Sequence, residues 1–452
     1  MMDHIYYYAT HAEQRYFLGP TMRDQYNKIG INGNIVSYTP SGVASFLATA
    51  NKPFYIDPQT HIFQFSTQHL KKNNDPKKKF KPSIEILASD RLKGPFSSVV
   101  TEDKPLLPSV FYEGDEIDLE KVDIICRGCL EFQKNTIIEE INEEDIEFLD
   151  TEENLTPQFL IAPYFYISSK NSPKWLDLTS ICYSRTKELE NNFPIYLSLV
   201  IAKDIVFDAR EKERVIEKIR NIKPDGILLW VDDLEEESLS VDKVQKYIQF
   251  LKSLKTNTGI VINTHSGYLS ILFGHPEVGG LFDGISHGIN YGESRSVVPV
   301  GGGIPMARFY FYSVHSRLRW GDALQIVQKN NWWGRRETYA KNVCSCKQCH
   351  DLIAQSNTVE DAFFYYGRSQ TVERKSRSGS RIELEYPTSE AKQAAANHYL
   401  FNKTREINSI QNFTLAEIFD QLTDSYNKTA PILGDDQVAH LNNWRIGVER
   451  EL

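Results

Sequence analysis

The sequence predicts an α/β protein: a (β/α)8 barrel followed by a zinc-binding, mainly helical module. Three observations lead there. Eight short apolar runs, rich in β-branched and aromatic residues, alternate from residue 52 onward with stretches of helical spacing. Polar residues gather where those runs end, as catalytic groups do at the carboxyl ends of barrel strands. After the last run, Cys344, Cys346 and Cys349 put three thiols within six residues. The expected division is an N-terminal hairpin cap over 1–51, a barrel over 52–330 and the zinc-binding module over 331–452.

Taken in order, 5–9 and 34–38 read as strands of a hairpin closing the bottom of the barrel. The eight barrel strands are expected at 53–57, 122–126, 159–165, 195–201, 226–231, 259–263, 281–285 and 307–312. Helical spacing is clearest over 209–222 and 241–254. Beyond the barrel, 391–407 and 415–426 read as helices and no further strand run competes. An open doubly wound sheet fits the same alternation, but no G-x-G-x-x-G follows the first strand. At the strand ends stand Asp57, then Lys203 and Asp204, then Asp232 and Asp233, then His265.

The seventh run, Gly280-Leu281-Phe282-Asp283-Gly284-Ile285-Ser286-His287, places an acid inside an apolar segment. A buried charge survives only when paired or hydrogen-bonded. Asp283 is therefore either a structural carboxylate bonded to backbone amides or a reactive group at the barrel mouth.

At 452 residues, with 41% hydrophobic and 25% charged residues, the chain can bury a large core. No apolar run approaches the ~20 residues that cross a bilayer, and the opening Met-Met-Asp-His-Ile-Tyr is no signal peptide. The expectation is a cytoplasmic protein without membrane contact. A net charge of −9 argues against coating nucleic acid non-specifically, yet leaves room for a local basic groove. Lys71, Lys72, Lys77, Lys78, Lys79 and Lys81 form one basic run; Arg368, Arg374, Lys375, Arg377 and Arg381 form another. An acidic stretch over 139–153 opposes them. Clustered cysteines in such a chain point to metal or thiol chemistry more than to disulfides.

Three thiolates need one more ligand to close a tetrahedral zinc site, and His398, heading a helical stretch, supplies it. His350 is the rival, but directly follows a ligating cysteine. Cys126 and Cys129 form a lone C-x-x-C, which reads at least as well as buried thiols.

The C-x-C-x-x-C run with a later histidine heading a helix resembles the structural zinc site of the tRNA-guanine transglycosylases. That family carries its nucleophile in an F-D-C-V context, matched here by Phe282-Asp283-Gly284-Ile285. Its first strand ends in an aspartate before an F-Q pair, matched by Tyr55-Ile56-Asp57 and Phe63-Gln64. The resemblance covers most of residues 52–410. It implies that Asp283 attacks C1′ of the nucleotide and that Asp57 handles protons as one base leaves and another enters.

Departures from the family narrow the reading. L-P-T-R is replaced by Ser286-His287-Gly288-Ile289, the G-G-L loop by Trp230-Val231-Asp232-Asp233-Leu234, and the expected glutamine by Ala202-Lys203-Asp204. Such a divergent member looks more like the DNA-guanine transglycosylases, which insert 7-deazaguanines such as 7-cyano-7-deazaguanine into DNA. A DNA-handling enzyme must take its target base out of the stack, and basic arms with aromatics suit that task. Tyr164, Tyr166 and Trp230 are candidate stacking residues, and Tyr164, Lys203, Asp232, Asp233, His265 and His287 candidate substrate contacts. The segment 291–295, with Arg295, lies just after a barrel strand as well. The expected partners are DNA ahead of tRNA, the 7-deazaguanine base and proteins of a DNA-modification system. Exchange on tRNA, a binding protein that has lost exchange, and a hydrolytic barrel of another family are the alternatives.

Overall fold

The computed structural model describes residues 2–8, 17, 19–89, 92, 94–101, 104–140, 156–171, 173–288, 293–298, 306–375 and 380–452. Contacts divide the chain into two compact units. One comprises 1–234, 246–266 and 279–300; the other comprises 235–245, 267–278 and 301–452. Among the described residues, no helix is long and apolar enough to cross a membrane.

The first unit is built on eight parallel strands: β1 Asp3–Tyr8, β2 Lys28–Asn32, β3 Phe54–Asp57, β4 Leu160–Ile161, β5 Ile195–Ala202, β6 Gly226–Asp232, β7 Val261–Asn263 and β8 Gly284–His287. Their order around the sheet is 3-2-1-8-7-6-5-4, with every ladder parallel. The pairing of β1 with β8 closes one side, and the Gln158 amide donates to the Phe54 carbonyl at 2.9 Å where β3 meets the entry to β4. The result is a nearly closed barrel of the kind the alternation predicts.

Its strand assignment differs from the expectation at both ends. The expected hairpin of 5–9 with 34–38 is not seen among the described residues: β1 and β2 run parallel and are the first two barrel strands, while 34–38 lies in the helix Gly33–Tyr38, capped by the Asn32 side chain. The expected second strand, 122–126, belongs to the helix Leu119–Asn135. Val122, Ile125, Cys126 and Cys129 recur there at helical spacing on one buried face, behind an Asp118 cap. Its β-branched composition resembles a strand, but its period is that of a helix. The expected eighth strand contributes Arg308–Phe311 (β9), which pairs antiparallel with Ser316–Arg319 (β10) in the second unit. Asp57 therefore ends the third strand, not the first.

Alternation along the strands fills the barrel. Ile5, Tyr55, Ile161, Tyr196, Val200, Leu228, Trp230 and Ile262 share one buried cluster. The rings of Tyr55, Phe159 and Tyr196 stack in succession, at 4.8 and 3.8 Å between centroids. Glycine on β2 and β6 makes room for two of these rings. A Cβ at Gly30 would fall 2.5 Å from the Tyr55 hydroxyl, and one at Gly226 would fall 2.5 Å from the Tyr196 ring.

The second unit carries helices Trp320–Lys329, Arg336–Asn342, Lys347–Gln355, Val359–Phe364, Ser389–Asn412, Leu415–Leu433 and Asp435–Glu449. The expected helices at 391–407 and 415–426 lie inside two of these. A second hairpin, β11 Ser369–Lys375 with β12 Arg381–Pro387, was not expected, because its residues are mostly polar and exposed rather than an apolar run.

Candidate active site and metal centre

The carboxyl mouth of the barrel is organised by the turns after β3 and β4, two strands with no ladder between them. Side chains replace the missing pairs. Thr60 Oγ1 donates to the Tyr164 carbonyl at 2.6 Å and accepts from its amide at 2.8 Å. The Gln64 amide group bonds the Tyr166 amide and carbonyl at 2.6 and 3.2 Å. These contacts fix the groups that surround Asp57.

Asp57 is buried, and its carboxylate accepts from the Tyr164 hydroxyl at 2.6 Å, the Gln59 amide at 3.0 Å and the Tyr7 hydroxyl at 3.0 Å. Gln59 Nε2 donates in turn to the Tyr7 hydroxyl at 3.1 Å. Burial pushes the Asp57 carboxyl above the usual carboxylate range, outweighing the hydrogen bonds and the Arg295 charge that favour its ionised form. The same burial, reinforced by Asp57, raises Tyr7 and Tyr164 well above a free phenol. A carboxyl so placed holds its proton more tightly than a free carboxyl, the direction that general-acid chemistry needs.

Around it stand imidazoles and an indole. His61 Nδ1 lies 3.1 Å from the Tyr164 hydroxyl, and its ring meets Trp230 edge-on at 5.3 Å. His265 meets Trp230 at 4.6 Å and Tyr7 at 5.6 Å. Burial, seconded by the Arg295 charge, brings His61 down to about 3 and His265 well below an ordinary histidine, so both rings are neutral. The Arg295 guanidinium lies 5.4 Å from the Trp230 ring centroid and 5.8 Å from that of Tyr7. Asp232 accepts from the Tyr166 hydroxyl at 3.0 Å and the Val297 amide at 2.8 Å. Lys203 and Asp233 lie exposed at the rim, paired at 3.6 Å.

Of the predicted residues, Asp57, Tyr164, Asp232 and His265 thus belong to the mouth, with Lys203 and Asp233 at its edge. Two do not. Asp283 precedes β8, at the amino edge. Its carboxylate accepts from the Val261 amide at 2.7 Å and from Lys255 Nζ, while its carbonyl accepts from the Asp3 amide at 2.8 Å. Asp3 is level with Gly284, whereas Asp57 is level with Asn32, one step beyond the pair of Tyr8 with Ile31. At ~3.3 Å per residue the two acids stand roughly 20 Å apart along the strands. Asp283 thus has the surroundings of the structural carboxylate, bonded to a backbone amide and a lysine away from the mouth. His287 lies on the outer face, its Nε2 2.8 Å from His4 Nε2, while Ser286 turns inward toward Tyr55.

The site also uses Tyr7, Gln59 and His61, which the sequence reading passed over. Gln59 and His61 were visible as polar residues directly after a strand-ending acid. Tyr7 was hidden by the assignment of its strand to a cap.

In the second unit, Cys344, Cys346, Cys349 and His398 bring their ligand atoms within 4.8 Å of one another, a group able to hold a metal ion. His398 Nδ1 lies 3.4 Å from Cys346 Sγ and 3.3 Å from Cys349 Sγ. A tetrahedral ion with Zn–S and Zn–N bonds of ~2.3 and ~2.0 Å needs N···S edges of about 3.5 Å, so this donor set fits. His398 Nε2 donates to the Tyr310 carbonyl at 2.7 Å, which leaves Nδ1 as the ligand atom. The rival His350 is exposed and stands outside the group.

No protein-family model matches the chain, and no curated protein matches it. Fold and site together define a parallel barrel with a buried acid at its carboxyl mouth and, in the second unit, a three-cysteine, one-histidine group able to hold a metal ion.

Proposed function

We propose that the protein is a base-exchange enzyme of the guanine transglycosylase kind, replacing guanine in DNA with a 7-deazaguanine such as 7-cyano-7-deazaguanine. The observation that carries this reading is the Asp57 carboxyl, buried at the barrel mouth between two tyrosine hydroxyls and faced by neutral imidazoles and an indole. Such a carboxyl suits proton transfer to a departing base and from an incoming one. Flat rings beside it suit a planar base.

Because Asp283 sits at the amino edge, this reading gives it no part in the chemistry and takes Asp232, at the mouth, as the carboxylate for the anomeric carbon. In this reading the C1′–N bond breaks with its electron pair passing to guanine, which takes a proton from Asp57. An ester-like C1′–O bond forms to Asp232. The incoming base reverses both steps and returns its proton to Asp57. The ion of the cysteine–histidine group is zinc, with four protein ligands and a structural role.

The arms expected to hold phosphate fare unequally. Lys71 is buried with its Nζ on the Pro76 carbonyl, and Lys81 binds the His69 carbonyl, whereas Lys72, Lys77, Lys78 and Lys79 are exposed. Arg368, Arg374 and Arg381 are exposed, and Arg377 lies outside the described residues. The absence of Asp283 from the mouth favours one second reading, a nucleic-acid-binding protein that has lost exchange.

Labelled-guanine exchange on duplex DNA, single-stranded DNA and unmodified tRNA tests all three. Exchange on DNA supports the proposal and exchange on tRNA alone moves the substrate. Binding with no exchange on any polymer establishes the second reading.

A further inference from the structure

The second unit carries a surface feature that the barrel's chemistry does not use. Between the helices Lys347–Gln355 and Val359–Phe364 and the start of β11, an open hollow of about 630 Å³ is lined by Gln355, Asn357, Asp361, Phe364 and Arg368 among others. Phe364 is 42% exposed, although Phe363 beside it is fully buried. Aromatic rings back it: Trp333 stacks on it at 5.9 Å and 28°, and Trp320 meets it edge-on at 6.1 Å. The indole of Trp320 also lies under Gly367, where an added Cβ would fall 2.3 Å from the ring. The exposed phenyl face is therefore held rigidly. Arg368 lies over the Tyr365 ring at 4.4 Å, exposed at the edge of the hollow, and Arg335 and Arg336 are exposed on the segment that follows Trp333.

We propose that this hollow binds one unpaired nucleotide of a nucleic-acid strand, its base stacked on Phe364 and its phosphate against Arg368. A supported aromatic face with cationic neighbours is how single strands are held without sequence reading. Gln355 and Asn357 supply donors and acceptors for a base edge. The Asp361 carboxylate accepts from a base N–H and repels phosphate, so the base enters and the phosphate stays at the arginine. This proposal does not depend on the reaction proposed for the barrel mouth.

The test uses the full, metal-loaded chain and a fluorescein-labelled 15-nucleotide oligothymidine, read by anisotropy. Phe364→Ala should weaken binding about 5- to 100-fold, as loss of one base–aromatic stack does. Phe364→Trp should retain it, and Arg368→Gln should weaken it and lower its salt dependence. Binding of a 15-base-pair duplex should be unchanged by Phe364→Ala, because no base is free to stack. Labelled-guanine exchange by the same wild-type preparation is read separately from oligothymidine binding, which separates failure of this proposal from failure of the exchange reading. Unaltered metal content and circular dichroism of the Phe364→Ala protein establish that it is folded. Wild-type affinity in Phe364→Ala, or equal losses on single strand and duplex, would overturn the proposal.

Discussion

Asp57 and Asp283 carry the same carboxyl group into different surroundings. Asp283 bonds a lysine and a backbone amide at the amino edge and ties β8 to its neighbours. Asp283→Asn should therefore lower stability by about 1–2 kcal/mol, read by urea denaturation, and leave the mouth intact. His61 gives a pH prediction. Its folded value near 3 lies below the unfolded 6.5, so between these the unfolded chain binds more protons. The stability it contributes is full above pH 6.5 and falls as pH drops toward 3. Denaturation midpoints of wild type and His61→Gln at pH 7.5 and pH 5 should show the smaller acid loss in the variant. Equal losses would show that His61 is not held neutral. At this scale, the acid that ends β3 was legible because chain direction puts strand ends at the mouth. The acid of 280–288 was misplaced because an apolar run does not reveal where in it the strand begins.

At the scale of elements, alternation of runs and helices was enough to predict a parallel barrel, but not which runs supply its strands. Two of the eight barrel-strand readings failed for different reasons. The run 122–126 has strand composition with helical period, and the strand β9 is real but pairs with β10. The metal group was legible throughout, since three cysteines within six residues leave few geometries. Replacing Cys346 by Ser, or stripping the metal with a chelator, should lower the melting temperature of the second unit. Metal analysis should find about one zinc per wild-type chain. Absence of any bound metal would contradict the site. The hairpin β11–β12 makes a separate claim: Arg374→Gln with Arg381→Gln should weaken DNA binding and flatten its salt dependence. An unchanged salt slope would return these arginines to the role of solvated surface, where Arg381 already pairs with Glu373 at 3.1 Å.

For the whole molecule, the proposed chemistry belongs to the first unit and the proposed metal-dependent integrity to the second. The central claim is that proton transfer belongs to Asp57 at the carboxyl mouth and that Asp283 takes no part. Labelled-guanine exchange into DNA, compared among wild type, Asp57→Asn and Asp283→Asn at a temperature where all three are folded, tests it most directly. The expected result is a loss of about 10²- to 10⁴-fold in Asp57→Asn and a rate close to wild type in Asp283→Asn. Full activity in Asp57→Asn, or its abolition in a folded Asp283→Asn protein, would contradict it.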